Sequence, residues 1–370
     1  MKTFVIDLGL INENKRGMGI YIYKICHGLS KFKLNYNLIF LISRGCLQSD
    51  IQKLEDLYKN NDRVSFLYSP FIHIFTEQVY LPVYLFFHPS YKLISSGDSA
   101  PILVRKDRIL LILHDLYFFK VKSLYKNSKI NLRNKLGALY RRLCIKRFIS
   151  FNDLKIITVS QFMKNEIVDF MKISDSNIKI VPNGIDLIEF DKTSVITKKG
   201  LTLITGKDQQ KNLIGFLNSL KLISSKILNQ IKYVNIVGVN SNEISFDTSK
   251  VEIPINFLGY LNHEDVKKIL LSSKYFILPS FYESFGIPGL EALLFKCKVA
   301  ASNTGALNEV LGNCALYFDP YDLKSISKTL IELQKSNDLD DEVIYSQISP
   351  YDWVNSSKLF NTFVSKIWKY

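Results

Sequence analysis

At 370 residues, 47% hydrophobic and 22% charged, the chain is too long for one ordinary domain and suits two of about 150 to 190 residues; this composition excludes a disordered or fibrous protein. A formal charge of +14 favours an anionic partner, which leaves nucleic acid, acidic lipid and phosphorylated small molecules open, and an AT-biased gene rich in Lys, Asn, Ile and Phe accounts for the excess equally well. Cys26, Cys46, Cys144, Cys297 and Cys314 are odd in number, widely spaced and without a CxxC pair, which argues against a disulfide framework or a zinc site and fits a reducing cytoplasm.

The chain opens with Asp7 inside what would be the apolar core of a signal peptide, and the run reads instead as a strand. Predicted strands in the first half are Thr3–Leu8, Asn37–Ile42, Ser65–Tyr68, Leu93–Ser95, Arg108–Leu113 and Lys155–Val159. Predicted helices cover Gly19–Lys31, Thr76–Leu85, Ile130–Phe148 and Ser160–Met171, with Ser160 as N-cap. Leu81–Phe87 and Ile109–Leu113 fall far short of the roughly 18 apolar residues of a membrane span, so the expected protein is soluble or membrane-associated, not integral.

Pro182-Asn183-Gly184 is a strong turn signal, and the polar stretch after it marks a domain boundary. A second alternating series follows, with strands at Leu201–Thr205, Tyr233–Gly238, Ile255–Leu258, Tyr275–Pro279, Lys298–Ser302 and Ala315–Phe318. The pattern is that of an α/β protein with two doubly wound units facing across a cleft, and such sheets bind ligands beyond the carboxyl ends of their strands.

The most informative segment is Tyr275–Ala292. A buried strand ends at Pro279, a loop carries Glu283 and Gly286, and Pro288 sits where a helix should begin, with Glu291 in its first turn. The amides and dipole of such a helix start form an anion site suited to a diphosphate, and carboxylates accept from sugar and ribose hydroxyls. In isolation the two glutamates would read as a loop cap and a dipole complement; their place between a buried strand and a Gly/Pro-marked helix start points to a ligand.

In the first half Gly17 and Gly19 open a helix after the first strand and allow close backbone approach to a phosphate or acceptor, although Ile22 occupies the third glycine position of a dinucleotide fingerprint. His114 emerges from Ile109–Leu113 at the sheet's carboxyl edge, either for a ligand or to satisfy nearby backbone groups. His27, His73, His88 and His263 show no ligand spacing and receive no role. Residues 135–147, with Lys135, Arg141, Arg142, Lys146 and Arg147 among apolar residues, form a basic amphipathic pattern equally suited to anionic lipid and to a solvated helix face.

Through Lys298–Ala306, Asn308-Glu309-Val310 and Leu316–Pro320 the segment resembles the retaining glycosyltransferases of family 4, which share the two-domain GT-B fold. Glu77-Gln78, Leu81-Pro82, Ala100-Pro101, Val159-Ser160 and Asn183–Asp186 are similar to a bacterial polysaccharide-assembly branch that includes mannosyl- and rhamnosyltransferases, and the matches run from Asp7 to Trp353. The resemblance implies an acceptor-side domain at 1–185, a nucleotide-sugar-binding domain at 186–350, and a terminal helix at 351–370 that crosses back. It further implies that Glu283 binds the donor sugar's hydroxyls, Glu291 the ribose, and Gly286 and Ile287 the donor through backbone amides, with Phe285 beside them.

Gly206–Asn212 looks like the family's phosphate-grip loop, with Lys211 matching well and Lys207 standing where Arg is usual in a longer loop. Phe257–Leu261 is similar to a segment that lines the nucleobase pocket; Tyr260 is there either for the base or as a buried structural residue. Ile20-Tyr21 departs from the family's Arg-Tyr, and His114 by resemblance reaches the donor sugar. The catalytic set is then His114, Lys211 and Glu283. A departing nucleoside diphosphate needs cations or a metal. No metal spacing competes with the lysines, since Asp338-Leu339-Asp340 reads as chance in a polar connector, so no cofactor is expected. The implied partners are a nucleoside-diphosphate sugar, a glycan or lipid-linked glycan acceptor and, through residues 135–147, an anionic membrane at the inner face of the cytoplasmic membrane. A nucleic-acid-binding protein rests on charge alone and lacks its signatures. A catalytically dead sugar-binding relative is weakened by the presence of both glutamates.

Overall fold

The computed structural model describes residues 1–12, 17–120, 132–187 and 197–367. The chain divides into two units, Met1–Gly184 with Trp353–Tyr370, and Ile185–Asp352.

The first unit is built on seven parallel strands, β1 (Thr3–Asp7), β2 (Asn37–Arg44), β3 (Val64–Ile72), β4 (Lys92–Ser95), β5 (Ile109–Ile112), β6 (Lys155–Thr158) and β7 (Ile178–Ile180), in the order β3-β2-β1-β4-β5-β6-β7. Helices cover both faces of such a sheet, so its central strands read as unbroken apolar runs; β1 and β5 are buried at every position. Strand order reverses between β1 and β4, where Ile6 pairs with both Phe40 and Ile94.

The terminal helix Trp353–Lys366 belongs to this unit and packs on helix Gly17–Leu29. Phe360 and Val364 are fully buried, and Gly28 permits the close approach, since a Cβ there would lie 2.1 Å from Ser357 Oγ.

The second unit holds β8 (Leu201–Ile204), β9 (Val234–Val237), β10 (Ile255–Gly259), β11 (Tyr275–Leu278), β12 (Lys298–Ser302) and β13 (Ala315–Phe318), all parallel, in the order β10-β9-β8-β11-β12-β13. Its core gathers Leu203, Phe216, Ile236, Ile277, Phe318 and Leu330. Here the order reverses between β8 and β11, and the loops leaving those two strands hold Lys211 and Glu283.

Ser160 does cap its helix, accepting from the Met163 amide at 3.2 Å, and the helix ends at left-handed Lys172. Two elements differ from expectation. β3 continues past Tyr68 to Ile72, and the helix expected from Thr76 begins as a π turn, Thr76–Tyr80, before becoming regular over Leu81–Phe87. The helix expected from Ile130 is seen over Leu132–Lys146, with Ile130 outside the described residues. Among the described residues no helix is long and apolar enough to cross a membrane.

Candidate functional site

In the second unit, three loops at the carboxyl edge of the sheet are tied around Glu283. Phe281 donates its amide to Gln210 O at 2.8 Å, and Gln210 Nε2 returns a bond to Tyr282 O at 2.7 Å. From the loop after β12, Thr304 Oγ1 donates to Ser280 O at 3.1 Å and Ala306 N to Glu283 O at 2.9 Å. Gly305 passes so close that a Cβ would stand 2.3 Å from Glu283 O, and its φ of +67° suits glycine. The Glu283 backbone is therefore fixed before any ligand arrives.

Glu283 is largely buried, and its Oε1 accepts from Lys211 Nζ at 2.6 Å and from Ser280 Oγ at 3.2 Å. Lys211 ends a short turn, Gln209–Lys211, and is followed by left-handed Asn212, whose Nδ2 donates to Pro320 O at 2.9 Å. Lys207 is placed differently. Its exposed ammonium lies 2.5 Å from Glu243 Oε1, beyond β9, so the structure brings Lys211 but not Lys207 to Glu283.

The helix beyond the loop is Ile287–Leu294, with Gly286 as N-cap at φ +97°. Pro288 is its second residue rather than its first, and Glu291 its fifth rather than its fourth, because left-handed Gly286 lets the helix begin one residue earlier. The first amides of a helix have no intrahelical carbonyl, so those of Ile287 and its neighbours suit an anion. Burial, reinforced by the charge of Asp186 and opposed by Lys267, pushes the Glu291 carboxyl up to about 7. Its side chain is 19% exposed, with His263 Nδ1 4.0 Å away.

Phe285 is buried, its ring edge-on to Tyr351 at 5.4 Å. Tyr260 follows β10 and is 74% exposed, so the buried structural reading of this residue does not hold.

In the first unit, His114 lies two residues beyond β5 and is buried. Its amide donates to Asp98 Oδ1 at 2.6 Å and its ring meets Tyr21 edge-on at 4.7 Å, yet Nε2 has no hydrogen-bond partner. Burial pushes the imidazole down to about 4, so it is neutral near pH 7. The buried Nε2 therefore keeps its hydrogen-bonding capacity for a ligand. Gly17 opens helix Gly17–Leu29 with no atom within 4 Å of a would-be Cβ, and Gly19 is buried in that helix; Arg16 lies outside the described residues.

Sequence reasoning passed over a polar cluster at the β1/β4 reversal. Asp7 Oδ2 lies 3.5 Å from His73 Nδ1, and a side chain at Gly9 would fill the space the imidazole occupies. Glu77, on the π turn, is buried and accepts from Ser99 Oγ at 2.8 Å and from Tyr140 Oη; burial raises its carboxyl above the usual range. The available signals were Asp7, an acid closing an otherwise apolar strand, and the Glu77-Gln78 pair. Among the described residues no three His, Cys, Asp or Glu side chains converge as a metal site.

Two parallel sheets of Rossmann order in one chain, with a lysine–carboxylate pair before a glycine-capped helix, define a GT-B protein. Residues 16–189 match the family model described as Glycosyltransferase Family 4 and residues 188–348 that of the Glycosyl transferases group 1, so the chain belongs to this glycosyltransferase family. It is 26% identical over 253 residues to the O-antigen chain mannosyltransferase B of Escherichia coli, covering 64% of each chain. It is 24% identical over 217 residues to the O-antigen chain mannosyltransferase RfbU of Salmonella typhimurium, covering 57% of this chain and 59% of that one. The matches therefore span less than two thirds of these relatives' lengths. In fold the chain is similar to a glycosyltransferase from Rickettsia africae, with a TM-score of 0.66 at 14% identity over 100% of this chain and 99% of that one.

Proposed function

We propose that this chain transfers a glycosyl group, with retention at the anomeric carbon, from a nucleoside-diphosphate sugar to a hydroxyl of a lipid-linked glycan during bacterial surface polysaccharide synthesis. The observation that carries this reading is the Lys211–Glu283 pair at 2.6 Å, held before the amides of Ile287–Leu294. Similarity to O-antigen chain mannosyltransferases supports the polysaccharide context.

In this reading the acceptor oxygen forms its bond to the anomeric carbon as the bond to the diphosphate oxygen breaks, and the acceptor proton passes to the departing diphosphate. Lys211 and the helix amides stabilise the growing charge, Glu283 orients the sugar hydroxyls, and Glu291 accepts from the ribose. Neutral His114 offers its unpartnered Nε2 to the sugar. The exposed Tyr260 lies along the base, and Lys207 contributes charge from further out. No metal takes part. The enzyme works at the inner face of the cytoplasmic membrane, with the basic residues of 135–147 towards anionic lipid.

Lys211→Ala tests the chemistry. Loss of a charged partner worth about 1.5 to 3 kcal/mol should lower kcat roughly tenfold to a hundredfold while the donor KM changes less, and wild-type turnover should survive EDTA. An unchanged kcat removes Lys211 from the mechanism; loss of activity in EDTA with recovery on Mg²⁺ or Mn²⁺ removes the metal-free scheme.

A further inference from the structure

Three ionisable side chains of the first unit have no part in the proposed transfer, and they meet at the carboxyl edge of its sheet. Asp7 ends β1 and is buried; its Oδ1 accepts from the Gly9 amide at 2.9 Å, and Oδ2 stands 3.5 Å from His73 Nδ1. Glu77, four residues after His73, is buried as well and accepts from Ser99 Oγ at 2.8 Å and from Tyr140 Oη.

The chain leaving four strands builds this place. The imidazole lies over Gly9, where a Cβ would stand 2.1 Å from Nδ1 and 2.9 Å from Ser43 Oγ near the end of β2. Its other nitrogen faces the loop after β4, since a Cβ at Gly97 would be 3.7 Å from Nε2. Ser96 in that loop donates to Asp7 O at 2.7 Å, which ties it to the end of β1. The ring thus spans the crevice between β1 and β4, the point of strand-order reversal outside which parallel sheets hold their ligands.

His73 Nδ1 is buried and makes no hydrogen bond, although the Asp7 carboxylate lies just beyond reach. A polar atom left over beside a matching partner is the mark of a site that a ligand completes, and such bonds tighten when it binds. The carboxylate on that side favours the proton on Nδ1 and leaves Nε2 as an acceptor; the side chain is 24% exposed, so the ring has an open edge. Among the described residues no Lys or Arg pairs with Asp7 or Glu77. An incoming phosphate or carboxylate would therefore meet two acids with no such cation to offset them, whereas a hydroxyl meets an acceptor.

We infer that His73, oriented by Asp7, binds a hydroxyl of the acceptor saccharide, and that the sugar unit seated there carries neither phosphate nor carboxylate. The word acceptor rests on the glycosyl-transfer reading. Saccharide binding is measured without donor or turnover, so the two readings fail separately.

The test titrates the full chain with methyl α-mannoside, methyl α-galactoside and methyl β-glucoside, and with the corresponding methyl uronides, followed by saturation-transfer magnetic resonance. At least one neutral glycoside should bind saturably, and its uronide roughly tenfold more weakly or worse. His73→Asn keeps a polar group where Nδ1 faces Asp7 but nothing at Nε2, whereas His73→Gln reaches the Nε2 position. The first should lose roughly tenfold in affinity, as the loss of one hydrogen bond predicts, and the second clearly less. Asp7→Asn should weaken binding in the wild type and make no further difference in His73→Asn, a coupling that a merely structural Asp7 would not show. Absence of binding by all three neutral glycosides, wild-type affinity in His73→Asn, or a uronide bound as tightly as its neutral counterpart overturns the proposal. So does equal loss in His73→Asn and His73→Gln, which would make His73 a strut of the fold.

Discussion

Glu283 and Glu291 stand on either side of one helix start in opposite electrostatic settings. Glu283 has an ammonium at 2.6 Å, whereas Glu291 faces burial and the charge of Asp186, which lift its carboxyl from 4.5 to about 7. A raised acid stabilises the fold below its ordinary value and loses that contribution as pH climbs through the folded value. The unliganded protein should therefore lose on the order of 3 kcal/mol from this group between about pH 4.5 and somewhat above 7. Ribose hydroxyls donate to the ionised carboxylate, so nucleotide binding should release a proton and tighten as pH rises, by at most about tenfold per unit below 7. His114, neutral above about 4, adds no titration in that range. Calorimetric titration with a nucleoside diphosphate at about pH 6 and about pH 8, in buffers of different ionisation heat, reads both effects, and Glu291→Gln should abolish them. An affinity independent of pH in the wild type would take Glu291 out of the ribose site.

At the scale of elements, Glu283 depends on the loop after β12 as much as on its own. Gly305→Ala should place a methyl 2.3 Å from Glu283 O in a backbone of φ +67°, displacing the carboxylate. The expected result is a turnover reduced tenfold or more together with a stability loss of roughly 1 to 3 kcal/mol. Gly45→Ala is the control: φ is +97° but nothing lies within 4 Å, so it should cost stability without touching kcat. Wild-type turnover in Gly305→Ala would show that the loop does not hold Glu283.

The strands themselves were legible, because fully buried parallel strands are short apolar runs between turn residues, as in β5 and β11. The Glu283 loop was legible for the same reason, lying between such a run and a Gly/Pro signal. The depth of Glu291 was not, since Gly286 and Pro288 both mark helix starts and only the left-handed backbone decides between them. Nor was the π turn at Thr76–Tyr80, which a 3.6-residue periodicity does not separate from ordinary helix. Asp7 and His73 meet only because β3 runs on to Ile72, so neither residue's neighbours in sequence could announce the contact.

For the whole molecule, the last helix completes the first unit. Trp353, Phe360, Val364 and Ile367 are all buried, Ser357 Oγ donates to Ile25 O at 3.3 Å, and Lys2 Nζ to Ile367 O at 3.3 Å. Four such side chains at about 1.5 to 3 kcal/mol each contribute roughly as much as the entire net stability of an ordinary domain. Removing the chain from Trp353 onward should therefore unfold the first unit while the second keeps its structure. Hydrogen exchange should show protection lost in β1, β2 and helix Gly17–Leu29 but retained in β8, β11 and β12. A graded version replaces Gly28 with Ala, whose methyl would meet Ser357 Oγ at 2.1 Å and Ser357 Cβ at 2.8 Å. That variant should lose protection in the same strands, and adding Ser357→Gly should restore it by removing both atoms. Uniform loss of protection across β1 to β13 would mean that the two units unfold as one, and unchanged protection in the truncated chain would mean that the helix merely rests on a unit already stable without it.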